Sequence, residues 1–582
     1  MSDAVKRAEE FLTREKAFRL GDLLTEAFHP KTRKLSQTAA VDLPAAIRML
    51  QSVDDEIPPA IEKVLQQDSF GRLVDAFGEA FSAGKKIYFT GCGATGRLSI
   101  LLEAAWRRCW REIKKVSPEM GEMEDRVFSV MAGGDFALIK SVEGYEDFPD
   151  FGRYQLRERG VGPGDVVVAI TEGGETPFVI GTAWEGLDAG AKVFFVYNNP
   201  TDLLCRHVKR SREVIEEPRI TKLDLTTGPM AITGSTRMQA TTAELFIVGS
   251  ALEIALVRFL QQRLSPSDAE RLRLRERRPD EYYRRLCELL GQLSSDDTVD
   301  TLAAATAFEE DIYHRQGLVT YAADAFLLDV LTDTTERSPT FMLPAFRKQD
   351  DNLSPQSWAF VKDPLRPTKE AWRELLQREP RGLEWGLDVY ERMNAPANLK
   401  AQPPRLDNAE IHKFMIGCEP DPSRTDAADS VLVVVGVGDE DQLIRTALEK
   451  FGLQYKKTAA LFVGSSDIGS MADKTFRFPR ALADSPLKLW HHLAVKLILN
   501  TISTATMVRM DRVIGNAMIW LSPSNKKLID RGCRLIAQQT GCSYEQACIT
   551  LHEALEEVEL LQKQGKEGPS PVALAIERIQ SG

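Results

Sequence analysis

The chain has 582 residues, of which 43% are hydrophobic and 27% charged, and its net charge is −11. This length is too great for a single core, so two or three domains are expected. The acidic balance without a basic block argues against a nucleic-acid partner, and apolar runs of only strand length argue against a membrane-spanning segment.

The eight cysteines and seven histidines are scattered. None of the cysteines forms a C-x-x-C pair, and the histidines show no spacing typical of metal ligands. Residues 1–16 contain no apolar signal segment. The sequence therefore predicts a cytoplasmic protein with free thiols and without a metal or cofactor.

Residues 1–84 show amphipathic helical patterns. From residue 85 apolar strand patterns alternate with helical ones, and the strands are KKIYFTG, RVFSVMAGGD, GDVVVAITEGG and AKVFFVYNNP. Such continuous β-branched and aromatic runs are typical of strands buried on both faces of a parallel sheet. The alternation predicts a doubly wound α/β domain with its ligand beyond the carboxyl ends of the strands.

The second half repeats this layout loosely, with strand patterns in LVTYAAD, SVLVVVGVGDE and AALFVGSSD, and a long helix in each half. A loose repeat predicts two similar α/β domains in tandem. We divide the chain into a helical N-terminal segment (1–84), a first domain (85–263), a solvated helical linker (264–296), a second domain (297–524) and a helical cap (525–582).

A glycine loop, GCGATG, follows the first strand at residues 91–96. A dinucleotide site would need an acid about 20 residues further on, but the next strand ends at Asp135, and no Walker lysine follows. Two interpretations remain, a tight turn without a ligand or a helix N-terminus that holds a small anion. Thr95 and Arg97 place a hydroxyl and an arginine at this helix start, and TGSTRM at 233–238 has the same combination. Two such helix starts in one domain favour a phosphorylated sugar over a nucleotide as the ligand.

The motifs GCGATGRL, MAGGD, VEGYED, TPFVIG, TGSTRM, LILNTIST and GNAMIWLSPSNKKL together resemble one family. This is the sugar-isomerase (SIS) family, in the branch that holds N-acetylmuramic acid 6-phosphate etherase and the glucokinase regulatory protein. The resemblance implies two tandem SIS domains, each with a five-stranded, parallel, flavodoxin-like sheet, and a small helical cap. It also implies an internal pseudo-dimer with a phosphosugar site between its domains.

The resemblance further implies the residues of this site. The glutamate of the family's E-G-x-E-D motif corresponds to Glu146, within Glu143–Asp147. Sugar-phosphate contacts are implied for the glycine loop, for the loop after the third strand and for the TGSTRM motif, at Gly93, Ala94, Thr95, Gly96, Thr171, Glu172, Gly173 and Ser235.

A second catalytic glutamate of the family falls at Ala105 in the first domain, and Glu103 is out of register on the helix. Residues 333–340, DTTERSPT, resemble the same motif and place Glu336 in the glutamate position. The position of the family's lysine is likewise occupied by Glu244 in the first half and by Lys496 in the second. The resemblance thus implies one composite site, whereas the complementary site lacks both residues.

The loop TEGGETP departs from the family pattern, because Gly173 replaces a serine and Glu175 an arginine, and Glu172 adds an acid. Two carboxylates in an anion-binding loop are unfavourable unless they point away or contact sugar hydroxyls. We expect Arg97, Arg237 or Lys496 to offset them.

The resemblance supports two functions. In the first, Glu146 and Glu336 act as base and acid of an etherase-type lyase that releases D-lactate from N-acetylmuramic acid 6-phosphate. In the second, the chain is a non-enzymatic sugar-phosphate sensor that regulates a sugar kinase. An aldose–ketose isomerase fits the motif set less well.

Overall fold

The computed structural model describes residues 3–142, 144–466, 469, 471–478, 482–564 and 568–581. Five α-helices form the N-terminal segment, separated in part by short 3₁₀ turns: α1 (Asp3–Arg14), α2 (Leu35–Val41), α3 (Leu43–Asp54), α4 (Ile57–Leu65) and α5 (Asp68–Ser82). They are amphipathic, as the sequence predicted, and α5 buries Phe70, Phe77 and Phe81.

The first sheet has five parallel strands: β1 (Ile87–Gly91), β2 (Val127–Met131), β3 (Val166–Thr171), β4 (Lys192–Tyr197) and β5 (Ile220–Asp224). Their order is β2-β1-β3-β4-β5. The helices of this half are α6 (Gly93–Val116), α7 (Pro149–Glu158), α8 (Pro177–Asp188), α9 (Thr201–His207), α10 (Lys209–Glu216) and α11 (Gln239–Gln261).

The connecting segment contains α12 (Pro266–Arg271) and α13 (Pro279–Leu293). The expectation of a purely solvated helix is wrong for α13, because one of its faces is buried. Tyr282 and Leu286 lie on that face, and the Tyr282 ring stacks on Trp490 at 5.8 Å between centroids. Its charged residues occupy the opposite face, so the high charge of the segment hid an apolar stripe.

The second sheet also has five parallel strands: β6 (Leu318–Ala322), β7 (Ala359–Lys362), β8 (Ser430–Val437), β9 (Lys457–Val463) and β10 (Lys474–Phe478). Its order, β10-β9-β8-β6-β7, repeats that of the first sheet strand for strand. The predicted fold class, two tandem doubly wound α/β units with parallel five-stranded sheets, is therefore confirmed.

The helices of the second half lie between and around these strands: α14 (Asp296–His314), α15 (Leu327–Phe341), α16 (Thr368–Leu376), α17 (Leu387–Arg392), α18 (Ala397–Ala401), α19 (Asn408–Ile411), α20 (Pro422–Thr425), α21 (Asp441–Phe451) and α22 (Leu489–Arg509). A short antiparallel hairpin of two-residue strands, β11 (Val513–Ile514) and β12 (Ala517–Met518), follows. The C-terminal helices are α23 (Lys526–Thr540), α24 (Tyr544–Lys563) and α25 (Pro571–Ser581).

The two halves share an apolar core. The long helices α11 and α22 pack against each other, and the Phe246 and Trp490 rings meet edge to face at 6.1 Å between centroids. A Cβ on Gly249 would lie 2.8 Å from Leu489, so the close approach of the helices depends on glycine there. Among the described residues, no helix is long and apolar enough to cross a membrane.

Candidate functional site

The glycine loop joins β1 to α6 in a turn that only glycines permit. A Cβ on Gly91 would lie 2.5 Å from the carbonyl carbon of Thr95, and one on Gly96 would lie 2.5 Å from Cγ of Met131. Gly93 (φ +52°) and Ala94 are partly exposed at the N-terminus of α6. Free backbone N–H groups at a helix start attract anions, so this part of the loop is suited to a phosphate.

The side chain of Thr95 stabilises this loop through two hydrogen bonds. Its buried hydroxyl accepts a hydrogen bond from Cys92 N at 3.1 Å and donates one to Cys92 O at 2.9 Å. The hydroxyl thus holds the helix start in shape, and the backbone of Gly93 and Ala94 presents the surface of the loop.

Glu146 lies beside the same loop. Its Oε1 is 3.8 Å from the position that a Cβ on Gly93 would occupy. Burial raises the pKa of Glu146 to about 6; Lys527 opposes this shift, and Asp147 and Glu175 add to it. The carboxyl can therefore give or take a proton near neutral pH. Glu143, from the same motif, lies outside the described residues.

The acidic loop after β3 is only partly neutralised. Glu175 forms an ion pair with Lys527 of α23 at 3.0 Å and another with Arg210 of α10. Burial alone would raise the pKa of Glu175, but these two cations hold it below its usual value. The expected partners, Arg97, Arg237 or Lys496, do not pair with this carboxylate, because helices distant in sequence already supply two cations.

Glu172 has no such ion pair among the described residues. Burial, with Glu336 and Glu146 nearby, raises the pKa of Glu172 to about 7 against the attraction of Lys527. The loop around it is fixed by Thr171, whose hydroxyl lies 3.0 Å from that of Thr176, and by Gly173, whose carbonyl accepts from Asn199 Nδ2 at 3.0 Å.

The second half brings Glu336 to this loop system on α15. The residue is 5% exposed, and its Oε1 has no hydrogen-bond partner among the described residues. The neighbouring Thr335 hydroxyl accepts a hydrogen bond from Arg97 Nε at 3.2 Å. Burial raises the pKa of Glu336, while Arg97, Arg237 and Lys496 counteract the shift.

Arg237 and Asp333 hold α15 in this position. Arg237 Nη1 donates to Asp333 Oδ1 at 3.0 Å, and Asp333 also accepts from Ser503 and Arg337. The pKa of Asp333 stays below its usual value despite burial, because both arginines favour its charged form. A buried carboxylate with this many donors is a positioning element one helical turn from Glu336.

Lys496 belongs to α22, and its Nζ lies against the residues that precede and begin α11. Its Nζ donates to Arg237 O at 2.9 Å, to Met238 O at 3.2 Å and to the Thr242 hydroxyl at 2.8 Å. Burial lowers the pKa of Lys496 to about 8, and Glu336 opposes that shift. Ser235 is buried in the adjoining loop, where its N–H donates to Ile232 O at 2.9 Å.

The first half has different residues at the positions that the sequence analysis compared with Glu336 and Lys496. Ala105 is buried without a polar group, and Glu103 accepts from Ser129 and Arg107, so it points away from the glycine loop as expected. Glu244 is 0% exposed, with Asn198 Nδ2 at 3.4 Å from its Oε1 and no described partner for its Oε2.

Two basic residues of α23, Lys527 and Arg531, are functional candidates that the sequence interpretation missed. Lys527 Nζ lies 3.6 Å from the Cβ position of Gly173, and Arg531 Nε lies 2.5 Å from that of Gly234. They are four residues apart and thus on one face of α23. The motif SPSNKKL, which contains Lys527, was recognised, but no local sequence feature indicated which loop Lys527 approaches.

Cationic, carboxylate and backbone donor groups from both halves therefore meet around one set of loops. Among the described residues, no group of three His, Cys, Asp or Glu side chains is arranged to hold a metal ion. The arrangement can bind an anionic, hydroxyl-rich ligand and exchange protons with it near neutral pH.

Comparisons with known proteins identify similar chains. Residues 72–185 match the family model of the glucokinase regulatory protein N-terminal SIS domain. N-acetylmuramic acid 6-phosphate etherase of Mesorhizobium japonicum is 31% identical over 40% of this chain and 68% of the relative. The etherase of Salinibacter ruber is 30% identical over 41% of this chain and 69% of the relative.

A solved structure, tagatose-6-phosphate ketose/aldose isomerase from Escherichia coli, is 9% identical and covers 82% of this chain and 96% of its own, with a TM-score of 0.42. The fold and site define a tandem α/β protein of the phosphosugar-binding class. The chain belongs to the SIS family, in which it resembles both the etherases and the regulatory-protein domain.

Proposed function

We propose that this chain binds a sugar phosphate in one composite site between its two halves and acts on it as an etherase-type lyase. The observation that carries the proposal is the position of Arg97. Its guanidinium, 2% exposed, donates to Thr335 of the second half, and its charge interacts with both Glu336 and Glu146. An internal pseudo-dimer then forms the site, with each half supplying one acidic residue.

The sugar phosphate would place its anionic group against the glycine loop. The N-terminus of the 24-residue α6 favours a negative charge there, and Lys527, whose Nζ lies 3.6 Å from the Cβ position of Gly173, supplies a cation at the loop after β3. Lys496 and Arg237 would hold the end of the sugar that lies nearest Glu336. This orientation leaves the sugar ring between the carboxyl groups of Glu146 and Glu336.

The two carboxyl groups are suited to an elimination. One takes the proton from the carbon next to the aldehyde carbon, and the electron pair forms a carbon–carbon double bond. The bond from C3 to the lactyl oxygen breaks, and the other carboxyl protonates that oxygen, so that D-lactate leaves. Burial raises the pKa of Glu146 to about 6 and also raises the pKa of Glu336, so both carboxyls exchange a proton closer to neutral pH than an exposed glutamate does. Either residue can be the base in this scheme.

The experiment is a D-lactate assay with N-acetylmuramic acid 6-phosphate. We expect release by the purified chain, and a decrease of at least about 100-fold in Glu146→Gln and in Glu336→Gln. Glu62→Gln, an exposed glutamate on α4, is the matched control and should retain full activity. Absence of release by a folded chain that does bind sugar phosphates would overturn the lyase.

A second candidate function is a non-enzymatic sensor that controls a sugar kinase. The observation that favours it is the acidic loop at Glu172 and Glu175, together with the match of residues 72–185 to the regulatory-protein domain. The sensor predicts thermal stabilisation by a sugar phosphate without any D-lactate release. Titration of a hexokinase-type enzyme with the chain, with and without fructose 6-phosphate, then tests for a kinase partner.

The proposal includes a cytoplasmic location. All eight cysteines are free thiols, which agrees with a reducing compartment.

A further inference from the structure

A segment of the second half, residues 378–392, lies on the first half beside the E-G-Y-E-D motif. The N–H of Arg381 donates to Asp135 Oδ2 at 2.6 Å, and the carbonyl of Arg381 accepts from Asp135 N–H at 3.2 Å. Further along the segment, Trp385 Nε1 donates to Glu158 Oε2 at 2.9 Å. These bonds attach the segment to the first half on both sides of the motif.

Tyr390 of this segment, on α17, contacts the motif itself. Its hydroxyl is hydrogen-bonded to that of Tyr145, although the two residues are 245 positions apart in sequence. The Tyr145 ring also stacks on Trp385, with 6.0 Å between centroids and 9° between planes. Both tyrosines are almost fully buried, at 0% and 1% exposure. The second half therefore provides the aromatic site in which Tyr145 is held.

Glu146, the next residue, faces the other way. Its Oε1 lies 3.8 Å from the Cβ position of Gly93 in the glycine loop, whereas the Tyr145 side chain lies against the second half. The carbonyl of Glu146 accepts from Phe178 N–H at 3.1 Å. Among the described residues its side chain has no hydrogen bond or ion pair. The placement of its carboxyl group thus depends on the backbone, which Tyr145 and Phe178 anchor.

We propose that Tyr390 is a positioning residue for Glu146 and acts through its hydrogen bond to Tyr145. Without the Tyr390 hydroxyl the buried hydroxyl of Tyr145 has lost its partner, which disfavours the present position of that ring and of the backbone beside it. The second half then contributes twice to the site, because it supplies Glu336 and also fixes the acid of the first half. The inference rests on the proposed sugar-phosphate site and does not depend on the elimination.

The test is a double-mutant cycle, measured by calorimetric titration of the full chain with N-acetylglucosamine 6-phosphate. We expect Tyr390→Phe to raise the Kd at least about fivefold. In the Glu146→Gln background the same substitution should change the Kd by less than about twofold, because the carboxylate that it positions is already absent. Tyr88→Phe is the matched control. The hydroxyl of this buried tyrosine donates to Arg159 O at 2.9 Å, and its loss should leave the Kd within about twofold.

An unchanged Kd in a folded Tyr390→Phe would overturn the inference and leave the sugar-phosphate site standing. An equal rise with and without the Glu146 carboxylate would also overturn it, because Tyr390 would then act on the fold alone. Tyr145→Phe removes the other hydroxyl of the pair and should give the same result, so the test does not depend on a single variant. Failure of the wild type to bind the ligand would overturn the proposed function together with the inference. Circular dichroism of each variant shows whether it is folded.

Discussion

Arg97 Nε lies 3.2 Å from the Thr335 hydroxyl, and this hydrogen bond joins the glycine loop of the first half to the helix of Glu336 in the second. The residues are 238 positions apart in sequence. The same Nε–H also lies 3.1 Å from Leu138 O, so this one donor is shared between a carbonyl of the first half and a hydroxyl of the second. Through the bond to Thr335 the helix that carries Glu336 lies against the start of α6.

Glu103 should be essential for stability although it takes no part in the proposed site. It is buried and accepts from Arg107, and it pairs with Arg378 at 3.1 Å and Arg381 at 2.9 Å. Glu103→Gln leaves three arginines without this charge, and we expect a loss of about 3–5 kcal/mol in unfolding free energy. Urea denaturation measures it.

The exposed Glu112→Gln, on the same helix, is the control for Glu103→Gln and should change stability by less than about 0.5 kcal/mol. Equal stability of the two variants would show that the buried network does not support the fold.

Two glycines should respond to alanine in opposite directions. A Cβ on Gly91 meets backbone atoms at 2.5 Å, so Gly91→Ala should cost at least about 2 kcal/mol. A Cβ on Gly78, inside α5, meets nothing within 4 Å, so Gly78→Ala should stabilise by about 0.5–1 kcal/mol. Thermal melts of both variants give the signs, and a neutral Gly91→Ala would contradict the tight turn.

Glu172 should make the ligand-free chain less stable as pH rises. Its folded pKa of about 7 exceeds the ordinary value of 4.5, so its penalty is absent below pH 4.5 and grows as pH rises to 7. Glu172→Gln removes the penalty and should stabilise the chain at pH 8 by on the order of 1–2 kcal/mol, with a smaller gain at pH 5. Melting temperatures across this range test the sign, and a gain that is larger at pH 5 would refute it.

Sugar-phosphate affinity should weaken above pH 8 through Lys496. Burial lowers the pKa of this lysine to about 8, so its charge is mostly present at pH 7 and mostly lost at pH 9. If Lys496 holds the ligand, the Kd for glucose 6-phosphate should rise by up to about tenfold between these values. The phosphate charge is nearly constant over this range, because its second pKa is about 6.

Lys496→Arg provides the matched variant for the pH test, because arginine keeps its charge at pH 9. The Kd of Lys496→Arg should change by less than about twofold between pH 7 and pH 9. The same steep dependence in both proteins would assign the titration to another group.

The sequence predicted the fold well because strand patterns and glycine loops are local signals. The assignment of Glu336 to the site came from a short motif match and stays a prediction. The sequence did not predict that Lys527 and Arg210 neutralise Glu175, since these contacts join segments far apart in the chain. The apolar face of α13 was missed for a different reason, because its many charges masked a buried stripe.

The central claim is that both halves contribute acids to a single site. Calorimetric titration of the full chain with N-acetylglucosamine 6-phosphate, a sugar phosphate with the N-acetyl group of the proposed substrate, tests it most directly, in the wild type, Glu146→Gln and Glu336→Gln. We predict one binding site per chain and a loss of affinity of at least about tenfold in each variant. Two sites per chain, or binding by a folded Glu336→Gln that equals the wild type, would contradict the account.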